Sequence, residues 1–275
     1  MGEEVALIRR FVNDFFNRHD ASVCVEIMSS DYELAVGGHV ISGRDDEYVP
    51  AVQSQFDQFP GLGMTVHAVI VAPGRVAIHF SEHGASAGPA GPVAAWTGIA
   101  LYTVAGQRLA RCAAVEDYSA RRRQLKGGIA DTVEPPCPAP WDTPVLSGDH
   151  AAEAVVREWL STPWALVDRN IRFDDEHLDA SRRLDFGADE AVILDLFSSG
   201  EQVAFHTAHS GRYRSGFDDV PVSSEIVELH TAGIVTVVAG AVVSGRAVRD
   251  RQGLARRLTA AQSSSLVSIY GTTTR

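Results

Sequence analysis

The sequence is poor in cysteine and in positive charge. Its three cysteines, Cys24, Cys112 and Cys137, are far apart and are not spaced as zinc ligands. Scattered cysteines in odd number favour a reducing compartment, so we expect a cytoplasmic protein. The formal net charge is −11. This charge argues against nucleic acid and against an anionic membrane as partners, because both require clustered lysine and arginine.

Long apolar runs are also missing from the sequence. None reaches the roughly 18 residues of a membrane span, and the first residues do not have the basic and apolar segments of a signal peptide. The sequence has no glycine-rich phosphate loop, no serine nucleophile elbow and no HExxH stretch. We therefore expect no metal and no cofactor. The 45% hydrophobic and 21% charged content is that of a packed globular protein.

A repeated motif is the most informative feature that is present. The pattern Val-Ala-x-His occurs at 76–79, followed by Gly84, and again at 203–206, followed by Gly211. Both parts of the motif recur at an offset of 127 residues. A chain of 275 residues has room for about two domains. The repeat therefore predicts one supersecondary unit used twice, and it aligns the two copies.

The first copy has helical periodicity followed by a run of strands. Apolar spacing predicts helices over 3–18 and 21–29, a hairpin over 32–41 that turns at Gly37-Gly38, and a third helix over 43–56. The predicted strands that follow are 63–72, 75–86, 93–104 and 108–118.

The second copy follows a predicted linker over 127–149, which contains Gly127-Gly128 and five prolines. A helix is predicted over 151–160. The predicted strands after it are 202–214, 222–231 and 233–243. We therefore divide the chain into an active copy, 1–126, and a shortened structural copy, 150–262.

Three motifs of the first copy resemble those of a known family. They are Phe59-Pro60-Gly61-Leu62, then Gly74-Arg75-Val76-Ala77 leading to Gly84, and Asp117 followed by Gln124-Leu125. These are similar to the FPDL, the DRVA strand that ends near GTH, and the late aspartate before QL of SnoaL-like proteins. SnoaL-like and ketosteroid-isomerase-like enzymes belong to the NTF2-like superfamily. The position of the GTH histidine falls near Ser86, where this chain departs from the pattern. The resemblance covers nearly all of the first copy, and the second copy only weakly.

The resemblance implies an α+β fold of two cone-shaped NTF2-like barrels, each with a curved, mostly antiparallel sheet wrapped around helices. It implies that the copies pair sheet to sheet as an intrachain pseudo-dimer, with further homo-oligomerisation left open. It also implies a cofactor-independent acid/base enzyme, a lyase, isomerase or cyclase, acting on a hydrophobic or aromatic small molecule. The alternative is a non-catalytic binding or scaffold protein, because the superfamily contains those as well.

Asp117 is the first candidate for catalysis. It follows a strand that reads as mostly buried, and an apolar environment raises the pKa of a carboxyl so that it can accept a proton from carbon. The resemblance implies the same role, because SnoaL-like cyclases use the matching aspartate as acid/base. At an offset of 127 its counterpart is Ser244, so we expect the second copy to lack this acid. The alternative is that Asp117 caps the helix that follows.

The strand that contains the first motif supplies further candidates. Strand alternation puts His79 and His83 on one face and Glu82 on the other. His79 and His83 are about 13 Å apart along the strand, which excludes a shared metal ion. His79 is matched by His206 and therefore reads as structural. His83 and Glu82 are specific to the first copy, so we expect one of them to assist Asp117.

The predicted substrate-binding residues include one arginine and several aromatic side chains. The spacing of Arg111 and Asp117 puts both side chains on the same face of a strand. Arg111 could hold an oxyanion or a substrate carboxylate, or it could pair with a nearby acid. Tyr32, Trp96 and Tyr102, with Tyr118, could line an aromatic pocket or form plain core. We expect Arg111, His79, Tyr32, Trp96 and Tyr102 to contact the substrate.

Overall fold

The computed structural model describes residues 2–88, 90–162, 168–218 and 220–270. Its helices and strands form two α+β halves. They are joined by residues 126–149, which include a 3₁₀ turn at Pro140–Asp142.

The first half begins with helices that pack on a sheet. Helix α1 (Glu3–Arg10) has Glu3 and Glu4 in its first turn and Arg9 and Arg10 in its last, which suits the helix dipole, and it continues as a π-helical segment, Phe11–Phe16. The other elements are α2 (Cys24–Ile27), β1 (Met28–Val36), β2 (His39–Ser42), a π-helical turn (Arg44–Tyr48), α3 (Val49–Gln58), β3 (Gly63–Ala72), β4 (Arg75–Ala85), β5 (Val93–Ala105), β6 (Arg108–Glu116) and α4 (Tyr118–Leu125).

The second half has a similar order with fewer elements before its long strands. Its described elements are α5 (His150–Leu160), β7 (Ile171–Phe173), a 3₁₀ turn (Ala180–Arg182), β8 (Asp185–Ser199), β9 (Gln202–Ser215), β10 (Val227–Val238), β11 (Ala241–Arg249) and α6 (Arg251–Tyr270).

Each half has its own sheet, and the two sheets have corresponding strand orders. The first is β2-β1-β6-β5-β4-β3 and the second is β7-β11-β10-β9-β8. In each, one strand pair is parallel, β1 with β6 and β7 with β11, and the other neighbours are antiparallel. The second sheet therefore follows the plan of the first, with β7 in the place of β1 and no described counterpart of β2.

The first sheet is buried on both faces. Its inner face, which we define as the face under α1, α2 and α3, carries Ile78, Phe80, Trp96 and Ala100 in the largest apolar cluster. Alternation along each strand sends the intervening residues to the outer face. The inner face therefore forms the core of the first half together with the helices.

The outer face of the first sheet packs against the second sheet. Ile99, Leu101 and Val115 share an apolar cluster with Ile234 and Val248 of the second half. Arg75 also pairs with Asp195 at 2.6 Å across this contact. The two sheets therefore pack face to face within one chain.

Two strand predictions in the second half are wrong by several residues. The predicted strands 222–231 and 233–243 are observed at 227–238 and 241–249. The predicted break between these strands falls at Ala232, which lies inside β10. At the next residue, Gly233, an added Cβ would be 2.3 Å from the Phe205 ring. The turn is at Ala239-Gly240, both with positive φ, 51° and 78°. Gly233 is needed for packing, and Gly240 for the turn.

Among the helices of the described ranges, none has the length and apolarity needed to cross a membrane.

Shortening a side chain at the contact between the sheets should destabilise the protein. Leu101 is 1% exposed there. Leu101→Ala is expected to lower the free energy of unfolding by about 2–4 kcal/mol, because it leaves a cavity between packed sheets. Urea denaturation followed by circular dichroism measures the change. Val93→Ala, at a position that is 52% exposed, is the control and should be close to neutral. An equal, small effect for both variants would show that the contact contributes little.

Candidate active site on the inner face

Two glutamates lie on the inner face of the first sheet, among aromatic side chains. Glu82 on β4 is opposite Trp96 on β5, and Glu116 on β6 is opposite Gly98, two residues further along β5. The Trp96 indole Nε1 donates to Glu116 Oε2 at 3.0 Å, which places both on the same face. We call Glu82 and Glu116 the carboxyl pair. It lies at the end of the sheet where β4 and β6 both finish.

Each member of the pair has its own hydrogen-bond donors. Gln55 on α3 donates from Nε2 to Glu82 Oε2 at 2.6 Å. Glu116 accepts hydrogen bonds from Trp96 and from Tyr118 at the start of α4. The first sheet and both flanking helices thus fix the positions of the two carboxyls.

The environment raises the pKa of both carboxyls. Burial raises the pKa of Glu82 well above its usual range, and the charge of Glu116 raises it further, against Arg121 and the Gln55 hydrogen bond. Burial also raises the pKa of Glu116, but the hydrogen bonds from Trp96 and Tyr118 and the charge of Arg121 oppose the rise. The pair is therefore suited to hold one proton, with Glu82 as the member that keeps it longer.

A glycine provides the space for this arrangement. A Cβ at Gly98 would lie 2.5 Å from Phe80 Cζ and 2.9 Å from Glu116 Cγ. Both distances are shorter than a real contact. Gly98 therefore lets the Glu116 side chain lie close to β5.

Arg121 on α4 lies over aromatic rings near the carboxyl pair. Its guanidinium carbon lies 4.8 Å from the Phe59 ring centroid, 5.0 Å from Trp96 and 5.6 Å from Tyr118. The guanidinium also donates to Gln58 Oε1 at 3.1 Å. Arg121 is partly exposed, whereas Glu82 is buried. A cation over three aromatic rings thus lies close enough for its charge to act on both members of the carboxyl pair.

Tyr32, Tyr102 and Trp96, which we expected to contact the substrate, all lie on the inner face and are buried. The Tyr32 and Tyr102 hydroxyls hydrogen-bond the Cys112 thiol, and the rings of Tyr32 and Tyr48 are 4.9 Å apart. Tyr32, Tyr48 and Tyr102 thus belong to the packed apolar core of the first half.

Asp117 lies outside this inner-face group. It is 1% exposed; its Oδ1 accepts from the Ala120 amide at 3.0 Å and its Oδ2 from Arg251 at 2.7 Å. Burial raises its pKa, and the charge of Arg251 opposes the rise. The carboxylate therefore caps α4 and pairs with the second half. It borders a cavity of about 540 Å³ with a mixed lining, in which Ser81, Thr97, Asp174 and Arg246 are among the polar groups and Trp96, Ile129 and Val133 among the apolar ones.

The structure corrects the counterpart of Asp117 in the second half. Strands β6 and β11 begin at 108 and 241, an offset of 133 rather than 127. The six extra residues lie between Gly211 and Val227, in the longer end of β9 and its connection to β10, because Gly84 pairs with Ala94 whereas Gly211 pairs with Val227. The counterpart is therefore Asp250 and not Ser244. Asp250 likewise precedes a helix and accepts from the Gly253 amide at 2.7 Å. An aspartate at this place in both halves is accounted for by helix capping.

His79, His83 and Arg111 are on the outer face, opposite the carboxyl pair. The His79 ring nitrogen Nε2 bonds Thr97 Oγ1 at 2.9 Å, and burial lowers its pKa well below the usual range. His83 bonds Thr65 Oγ1 at 2.9 Å. Arg111 pairs with Glu33 at 2.9 Å, the salt bridge that the sequence left open. The structure thus does not bring these three residues together with Glu82.

Sequence reasoning missed Glu116, Gln55 and Arg121. A signal for Glu116 was present: it has the same strand parity as Cys112 and Ala114, which are inner-face residues. Gln55 and Arg121 are on helices that approach the sheet only in the folded chain, and no local pattern singled them out.

No curated protein matches the chain. Residues 8–112 match the model of the family described as the SnoaL-like domain.

Several solved structures are similar to about half of the chain. A protein from Jannaschia sp. CCS1, named as a SnoaL-like polyketide cyclase, is 19% identical, with 46% of this chain and 92% of that chain covered and a TM-score of 0.42. AclR from Streptomyces galilaeus, named as a hydroxylase, is 18% identical, with 45% and 96% covered and a TM-score of 0.41. IdmH from Streptomyces antibioticus, named as a polyketide cyclase, is 17% identical, with 46% and 99% covered and a TM-score of 0.41.

Removing the Glu82 charge should change how stability depends on pH. Because burial raises the folded-state pKa above the unfolded one, the stabilisation from the bound proton is complete below the unfolded pKa. It is lost as the pH rises through the folded pKa. Glu82→Gln should therefore lose less stability than the wild type between pH 5 and pH 8, by about 1 kcal/mol.

Urea denaturation at the two pH values measures this difference. The buried His206 and His209 also titrate on unfolding, with pKa values lowered by burial to about 3 and about 4, but they are present in both proteins and cancel. Glu190→Gln, at an exposed position, is the matched control. Parallel pH dependences of the wild type and Glu82→Gln would contradict a raised pKa at Glu82.

Replacing Asp117 tests its structural role. Asp117→Asn keeps the shape of the helix cap and removes one of the two carboxylates that hold the buried Arg251. We expect a loss of about 3 kcal/mol in the free energy of unfolding, because a buried charge loses a partner. Asp31→Asn, at an exposed position, is the control. Unchanged stability of Asp117→Asn would leave Asp117 free for the catalytic role that the sequence suggested.

Proposed function

We propose, from the match of residues 8–112 to the SnoaL-like domain model, that the protein is a cofactor-independent acid/base enzyme. It acts on a hydrophobic or aromatic small molecule by proton transfer, as a lyase, isomerase or cyclase. The observation that carries this proposal is the carboxyl pair, with its raised pKa values, on an aromatic inner face. This assignment moves the catalytic role from Asp117 to Glu116, because both oxygens of Asp117 are engaged in structural bonds.

The two carboxyls have different environments, and these suggest different roles. Glu116 receives hydrogen bonds from Trp96 and Tyr118, which favour its ionised form, so it is the proposed base. Glu82 is the more deeply buried and keeps its proton, so it is the proposed acid. Two titratable groups whose environments separate their pKa values are a common arrangement for acid/base catalysis at neutral pH.

In the proposed reaction, Glu116 removes a proton from a carbon next to a carbonyl group. Glu82 donates its proton to the carbonyl oxygen as negative charge develops there, and the product is an enol. The Arg121 guanidinium, which lies over the Trp96 ring in the free protein, supplies positive charge from the rim of the site. Return of a proton at a different carbon gives isomerisation, and attack of the enol on a second carbonyl group gives cyclisation.

The substrate enters by displacing Arg121 from the aromatic rings of Phe59, Trp96 and Tyr118. An aromatic substrate can replace the guanidinium on these rings. The cation would then lie at the rim of the site, where it can bind the polar end of the substrate.

Hydrogen–deuterium exchange at carbon tests this proposal without knowledge of the natural substrate. The probe is 1-phenyl-1,3-butanedione, an aryl diketone with an acidic C–H group, in D₂O with detection by NMR. We expect the wild type to accelerate exchange. Glu116→Gln should lower the acceleration by about 10²–10⁴-fold, the usual contribution of a general base. Glu190→Gln, at an exposed position, should leave it unchanged.

The alternative, a binding or scaffold protein, gives a different result in the same experiment. Such a protein would bind the probe, seen as chemical-shift changes, without accelerating exchange. Acceleration that survives in Glu116→Gln but is lost in a folded Asp117→Asn would return the catalytic role to Asp117. Extraction of the purified protein followed by mass spectrometry would then identify the bound native compound.

A further inference from the structure

A second cavity lies between the two halves of the chain, apart from the carboxyl pair. Its volume is about 770 Å³, within the range of roughly 300–1,000 Å³ of ligand pockets. Its walls are α4 from the first half and the start of α6 from the second, together with residues 178–182 and 216–218. The cavity therefore exists only because the two halves are packed together.

The lining of this cavity is strongly cationic. Arg122, Arg123, Lys126, Arg182 and Arg256 all contribute to it, and Asp218 is the acidic residue among the described lining groups. The chain as a whole has a net charge of −11. The concentration of arginine and lysine is thus a local feature and not a result of composition.

Several of these cations are available to a ligand. Arg123 is held by Asp131 at 2.5 Å, and Arg182 by Asp218 at 3.0 Å. In the described part of the chain, no ion pair joins Arg122, Lys126 or Arg256 to a carboxylate. These three side chains are exposed at the cavity, so an incoming anion would not have to displace a protein partner.

The first turn of α6 adds to the positive potential. Arg251 and Gln252 at its N-terminus line the cavity. Arg251 itself is neutralised by Asp117 and Asp174. The dipole of a 20-residue helix nevertheless favours negative charge at this end.

The same cavity has an apolar side. Leu178, Phe217, Val220 and Ala255 line it. The Phe217 ring stacks on Tyr213 with centroids 5.1 Å apart and planes at 15°, which fixes its position. A ligand with an apolar body could bury that body against these groups while its charged end contacts the cations.

We propose that this cavity binds an organic anion, a carboxylate or a phosphate ester with an apolar body. The site is separate from the carboxyl pair, so the proposal does not depend on the catalytic one. Arg122 and Arg256 contact the charged group of the ligand, and Phe217 contacts its apolar body.

Calorimetric titration of the full chain tests the proposal. The probes are decanoate, decyl phosphate and decanol, which share an apolar chain and differ in charge. We expect saturable binding of both anions and binding of decanol that is at least about tenfold weaker. The double variant Arg122→Gln, Arg256→Gln should weaken the binding of both anions by about tenfold, because both positions are exposed and the fold is retained. Arg9→Gln, an exposed arginine on α1, is the matched control.

Comparison of the two anions shows which class of anion the site prefers, and the decanol and variant titrations show whether the site exists. Tighter binding of decyl phosphate, with its higher charge, assigns the site to phosphate esters, and equal or tighter binding of decanoate assigns it to carboxylates. Equal affinity for decanol, or anion binding that the double variant leaves unchanged, overturns the proposal. A further variant, Ala255→Glu, places a negative charge inside the cavity and should abolish binding of both anions; retained binding would equally overturn the assignment.

Discussion

Burial of both faces of the first sheet is the constraint on which the rest of the structure depends. Helices cover one face and the second sheet covers the other, so the strand alternation separates two populations of polar side chains. Those on the outer face, such as His79 and Asp117, are used in contacts between strands and between the halves. Those on the inner face, Glu82 and Glu116, are isolated among aromatic rings. The same strands thus supply both the packing between the halves and the candidate chemistry.

Much of the first half could be predicted from its sequence, because its signals are local. The strands at 63–72, 75–85, 93–105 and 108–116 agree with the predicted ones to within two residues, since each is bounded by a turn or a loop that the sequence marks. The opposite facing of Glu82 and His83 also follows from alternation alone. The sequence did not specify which of the two faces is the inner one. That choice is made by helices far away in the chain.

The second half shows why the remainder could not be predicted. A motif at constant offset aligns only the strand in which it occurs. Six residues added between Gly211 on β9 and Val227 on β10 change the alignment of every later position. The pairing of Asp117 with Ser244 failed for this reason, and with it the argument that the second half lacks an acid. Arg121 and Arg251 were equally hidden, because each acts across a contact between elements that are distant in sequence.

The salt bridge between Asp117 and Arg251 has a consequence for how the protein behaves on dilution. It joins the first residue of α6 to the residue before α4, the helix that carries Arg121, and so connects the candidate site to the opposite half. In a dimer of separate chains such a support would dissociate as the concentration fell. Here residues 126–149 connect the halves covalently, and a short linker gives an effective concentration in the millimolar range. The salt bridge between the halves is therefore retained on dilution, unlike the same contact in a dimer of separate chains.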